Sequence, residues 1–245
     1  MTVREFTAQC ADDLSFKMWS LLFLALSSCS SGDGSINGNL GNGTFNYTCV
    51  SSDDPACPQS SATVINETPT TPTNFPPALA SGAHFKVGYT PSDPTKGGNP
   101  ALKPVAPEYI SALSADGSLT ALKPGKDSLV ARSSVDGLVY DFTVINVLPI
   151  SSLAVTSVDG QPIPGDVTLN LGSTTSYLAT ALGPHDEKLA GAVDYTWSSN
   201  NPSVVKIEQG NPTAHVDLDA LSNGSAVLTV TQGSLTITIP ITVAP

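Results

Sequence analysis

The sequence predicts an all-β protein, two tandem β-sandwiches behind a signal peptide and a flexible stalk. Three observations carry that prediction. Short β-branched and aromatic runs recur between turn dipeptides. Outside the N-terminal segment, no stretch longer than about ten residues keeps a helical period. One strand pattern occurs twice. Composition agrees: 20 Gly and 20 Pro in 245 residues, with only 13% charged, exclude a helical bundle or coiled coil. The formal net charge of −11 opposes phosphate backbones, so no nucleic-acid partner is expected.

Residues 1–28 read as a signal peptide. Lys17 leads the apolar run Met18-Trp19-Ser20-Leu21-Leu22-Phe23-Leu24-Ala25-Leu26, which suits a signal core and is too short to span a bilayer. Glu5, Asp12 and Asp13 are unusual beside Arg4 in a signal's first region, so Met18 is a rival start. Leu26-Ser27-Ser28-Cys29 then resembles the lipobox of bacterial lipoproteins. That resemblance implies a diacylglyceryl thioether on the Cys29 sulfur, cleavage before Cys29, and a fatty acyl chain such as palmitate on the new amine. The membrane is then a partner through lipid on Cys29. Ser30, rather than Asp, follows the cysteine, which in that family favours the outer membrane of the cell envelope.

Residues 29–74 read as a Ser/Gly/Thr/Pro-rich stalk with a disulfide loop. Residues 30–44 have the composition of a disordered tether. Phe45-Asn46-Tyr47-Thr48-Cys49 alternates as a short strand does. Removal of Cys10 and lipidation of Cys29 leave Cys49 and Cys57 as an even pair in an exported chain, and the turn-rich loop between them closes easily. Without His nearby or a Cys-x-x-Cys spacing, neither zinc nor redox catalysis is indicated. Thr68-Pro69-Thr70-Thr71-Pro72-Thr73 reads as an extended linker.

Residues 75–148 form the first predicted sandwich, with strands at 84–89, 118–122, 127–132 and 138–147. Residues 149–245 form the second, with strands at 153–158, 166–171, 175–182, 194–198, 204–207, 213–217, 225–231 and 235–243. Asp116-Gly117, Asp136-Gly137, Asp159-Gly160 and Asn223-Gly224 supply turns. Pro240 puts the last strand at a sheet edge. The repeat pairs Gly125–Ala131 and 140–147 with Gly224–Val230 and 237–243.

Trp197-Ser198-Ser199-Asn200-Asn201-Pro202-Ser203-Val204-Val205, followed by Gly224-Ser225-Ala226-Val227, resembles the bacterial Ig-like domain, group 2. The first module is similar to a degenerate copy, keeping Ser114-Ala115-Asp116-Gly117-Ser118-Leu119 but lacking the Trp. The resemblance implies two immunoglobulin-like sandwiches. Such modules serve as spacers, adhesin stalks or ligand-binding units, so fold alone does not choose among them.

Candidate site residues are few. Trp197 fits either the core between two sheets or a sugar-stacking platform. Tyr195 is the aromatic whose loss would test sugar binding. His84, His185 and His215 are far apart, and no metalloprotease helix or nucleophile elbow occurs. Asp217 and Asp219 share a strand face and could approach calcium, without a Gly-rich loop or third ligand. Pro184-His185-Asp186-Glu187-Lys188 is a charged island, either a solvated loop tip or a partner contact. The expectation is a lipid-anchored envelope protein presenting Ig-like domains for structural or adhesive contacts, not an enzyme, with no cofactor or metal. The partner is a surface protein or glycan. The alternative is a carbohydrate- or small-ligand-binding accessory module.

Overall fold

The computed structural model describes residues 34–51, 54–57, 74–210 and 213–245. The signal segment, Cys29 and the Pro/Thr linker lie outside the described residues. The first sandwich comprises β1 (Ser35–Asn37), β2 (Gly43–Thr48), β3 (Leu79–Ala80), β4 (His84–Pro91), β5 (Ala101–Pro104), β6 (Leu119–Thr120), β7 (Gly125–Arg132) and β8 (Val139–Leu148). The second comprises β9 (Ser152–Ser157), β10 (Val167–Asn170), β11 (Thr174–Leu182), β12 (Thr196–Ser199), β13 (Val205–Gln209), β14 (His215–Ala220), β15 (Gly224–Gln232) and β16 (Leu235–Ala244).

In the second sandwich, a sheet ordered β9-β11-β14-β13 faces one ordered β10-β16-β15-β12. This is the immunoglobulin arrangement, strands A-B-E-D against C, F and G. β10 is added parallel to the last strand. Pro240 needs a correction: β16 lies inside the sheet order rather than at its edge. β10 pairs only from Ile241 onward, so Pro240 falls at the end of the half of β16 that β10 leaves uncovered. Leu228, Val230, Ile239, Ile241 and Val243 alternate into the core with Trp197, Val205, Val216 and Leu218. Period-two alternation puts that apolar set on one face of each strand.

The first sandwich repeats the plan, with sheets ordered β1-β2-β4-β6 and β3-β8-β7-β5. Its composition corrects the expected stalk. Residues 35–37 and 43–48 are strands of the sandwich, not tether, and Phe45 and Tyr47 lie in its core beside Phe85, Leu119 and Ile145. β2 pairs antiparallel with β4, from Gly43 opposite Pro91 to Thr48 opposite Lys86, so it holds the first-strand position. The physical reason is burial: alternate residues of Gly43–Thr48 are apolar and need a partner face.

The internal repeat has a backbone cause. Gly125 pairs with Val147 and Gly224 with Val243, in the same register at the start of the penultimate strand of each sandwich. Their φ angles are +148° and +147°, a conformation that side-chain-bearing residues rarely adopt. A Cβ on Gly125 would collide with the Tyr109 ring.

Candidate functional site

Two places combine buried polar groups with shaped surface: the joint between the sandwiches, and the end of the first sandwich remote from it. At the joint, the 183–195 segment between β11 and β12 docks on the first sandwich. Ala80 N–H donates to the Ala190 carbonyl at 2.9 Å and Ala190 N–H to the Ala78 carbonyl at 3.1 Å. His84 and Ala192 exchange two backbone hydrogen bonds of 2.8 Å. Ala78, Ala80, Ala83, Ala181 and Leu189 form a dry cluster whose small side chains let the backbones approach.

Asp54 sits at the centre of this joint, fully buried. Its Oδ1 accepts from Ala56 N–H at 3.0 Å and from Gly191 N–H at 2.9 Å, and its Oδ2 from the Tyr47 hydroxyl at 2.6 Å. Burial pushes the Asp54 carboxyl above its ordinary value, while these donors pull it part-way back. Burial and the neighbouring Asp54 charge push the Tyr47 hydroxyl well up. The Cys49–Cys57 disulfide, with Cα atoms 6.1 Å apart, closes the loop that carries Asp54. This pairing was expected from the sequence. Its place under the second sandwich was not.

At the remote end a second buried carboxylate, Asp141, holds the 38–42 turn. Its oxygens accept from the N–H groups of Leu40 and Asn42 at 2.9 Å and of Phe142 at 2.8 Å, and from the Tyr89 hydroxyl at 3.2 Å. Asn39 N–H adds a bond to the Phe142 carbonyl at 2.8 Å. Ser92 N–H donates to the Asn42 carbonyl, and Ser134 N–H to the Gly97 carbonyl. The 38–42 turn, the 92–100 loop and the 133–138 turn therefore form one surface.

The other candidates are dispersed. Trp197 is core: it is 4% exposed, and its indole N–H donates to the Thr213 carbonyl at 3.0 Å. Tyr195 is a correction. It is buried, so it offers no ring to a sugar. Asp219 accepts from the Thr174 hydroxyl at 2.7 Å and Asp217 from the Ser176 hydroxyl. Among the described residues, no group of three or more His, Cys, Asp or Glu could hold a metal ion. His84 stands at the joint, His185 in the 183–195 segment and His215 on β14. The charged island Pro184–Lys188 leads into that joint, so the surface met by its flanking residues is the chain's own first sandwich. Asp54 and Asp141 were missed by sequence reasoning. The Asn-Gly pairs at 37–38 and 42–43 were the available signal for the turn that Asp141 holds.

No family model matches the chain, and no curated protein matches it. Among solved structures, S-layer protein SbsC domains 4 and 5 are similar at 14% identity and a TM-score of 0.34, covering 69% of this chain and 93% of that one. Yersinia pseudotuberculosis adhesin InvE is similar at 15% identity and a TM-score of 0.33, covering 69% and 56%. The titin Ig tandem A164-A165 is similar at 14% identity and a TM-score of 0.28, covering 68% and 89%. The strand orders above, rather than these likenesses, carry the fold assignment.

Proposed function

We propose that the chain is a lipid-anchored cell-envelope protein that presents a tandem immunoglobulin-like rod for structural or adhesive contacts. One observation carries the reading: an apolar run, small residues, Cys29 and a polar segment follow in the order that lipidation and export require. The disulfide supports it, because such bonds persist in oxidising compartments. The joint supports the rod, since it locks two modules that a plain spacer would leave independent. Lipid on Cys29 holds the chain on the membrane, in the outer membrane if the residue after the cysteine acts as the sorting signal. The carbohydrate-binding reading loses the aromatic residue that it named, because Tyr195 is buried.

Fractionation tests this. Cys29→Ser should leave the fold intact and move the protein from the membrane pellet to the soluble fraction. Retention of the variant in the pellet would sink the anchor.

A further inference from the structure

We propose that the remote end of the first sandwich lies against the membrane that carries the lipid, with Leu40, Val135 and Leu138 at headgroup level. This rests on lipidation of Cys29 as read above.

The tether sets the distance. Only four residues separate Cys29 from Gly34, where the first sandwich begins. Five Cα steps span at most about 18 Å. Gly34 and Ser35 are themselves buried in the sandwich, and β1 runs from Ser35 into the 38–42 turn. A chain acylated at Cys29 therefore keeps this sandwich near the bilayer surface. It enters opposite Tyr47, and β1 then carries it to the remote end, a rise shorter than the reach of the tether.

That end exposes three large apolar side chains among the polar residues of its loops. Leu40 is 54% exposed, Val135 77% and Leu138 65%. The three sit on two turns that are joined through the same strand, since Asp141 on β8 holds Leu40 N–H and Ser133 N–H donates to the Leu138 carbonyl at the start of β8. Apolar side chains on a fixed backbone enter an interface at a reduced ordering cost.

Charge distribution orients the molecule the same way. From Cys29 onward the chain carries eight Lys and Arg, and six lie in residues 34–148. Residues 149–245 hold two cations against eight Asp and Glu. Residues 34–148 set their six cations against nine Asp and Glu, so an anionic membrane surface repels the first module less than the second.

The test uses the native lipidated protein reconstituted in vesicles of phosphatidylethanolamine and phosphatidylglycerol. A single environment-sensitive fluorophore is placed by Val135→Cys or, as reference, by Thr238→Cys on the second sandwich. Both positions are exposed, so the fold should tolerate them. Headgroup-borne quenchers should reduce the fluorescence at 135 severalfold more than at 238. Equal, weak quenching at both positions, while the protein floats with the vesicles, would overturn the proposal and leave the anchor standing. Protection at 135 that tracks protein density rather than lipid would assign the patch to a second copy and also overturn it. Failure to float would remove the anchor, and this proposal with it.

Discussion

Asp54 reaches across 137 positions of sequence to accept a hydrogen bond from the Gly191 N–H at 2.9 Å. One carboxylate thereby joins the disulfide loop of the first sandwich to the inserted segment of the second. It also draws in the Tyr47 hydroxyl from the first core. A joint built on a buried charge is sensitive to loss of either partner, because an unpaired polar group in the interior costs more than the pair contributes.

Asp54→Ala leaves the Gly191 N–H and the Tyr47 hydroxyl without their acceptor. Chemical denaturation should report a loss of about 2–3 kcal/mol. Asp54→Asn keeps an oxygen for both backbone donors and should cost clearly less. Equal losses in the two variants would mean that the carboxylate charge or its second oxygen on Tyr47, not the oxygen held by the backbone donors, matters at this position.

The Asp54 carboxyl also predicts a pH signature. Its folded-state value is raised from 3.8, mainly by burial. Between 3.8 and that raised value the folded chain holds a proton that the unfolded chain has released. The contribution is therefore full below the unfolded value, and it is lost as pH rises through the folded one. Subtracting the stability curve of Asp54→Asn from that of wild type, from about pH 4 to pH 7, should leave a component that falls with pH. A difference that rises with pH would reverse the assignment.

Replacing both Cys49 and Cys57 by Ser should cost about 2–3 kcal/mol, the loop-closure entropy of a ring this short. The loss should couple to that of Asp54→Ala, since the loop presents the carboxylate. A double-mutant cycle reads the coupling, and strictly additive losses would contradict it.

Gly191→Ala should loosen the joint without touching either core. Gly191 has φ +94°, and a Cβ there would stand 2.6 Å from the Ala83 Cβ. Distances between spin labels on the two sandwiches should broaden in this variant and stay narrow in wild type. An unchanged distribution would show that the joint can absorb the methyl group.

Much of the fold was legible in the sequence, and the exceptions share a cause. The long strands announced themselves through alternation between turn dipeptides, and the repeat marked the two glycines with φ near +150°. Residues 34–44 did not, although the alternation at 45–48 marked the strand that follows. Their glycines and asparagines are locally indifferent to structure, and what orders them lies far away, in Tyr89 and Asp141. β3 and β6 are two residues each and owe their pairing to neighbours rather than to pattern. The role of Asp54 depends on Gly191, which no local window contains. Tyr195 is a different case. Trp197 as core already places Tyr195 on the same inward face two residues earlier, so period-two alternation was enough to bury it. Cys29 is legible only as chemistry, through the residues around it.

The central claim is a lipid on Cys29 with the folded rod close behind it. The most direct measurement is the intact mass of the native protein extracted from membranes in detergent. The account predicts residues 29–245 plus a diacylglyceryl group and an acyl chain, two hydrogens short for the Cys49–Cys57 bond. An unmodified chain of residues 1–245 at 25.1 kDa, with free thiols, would contradict it.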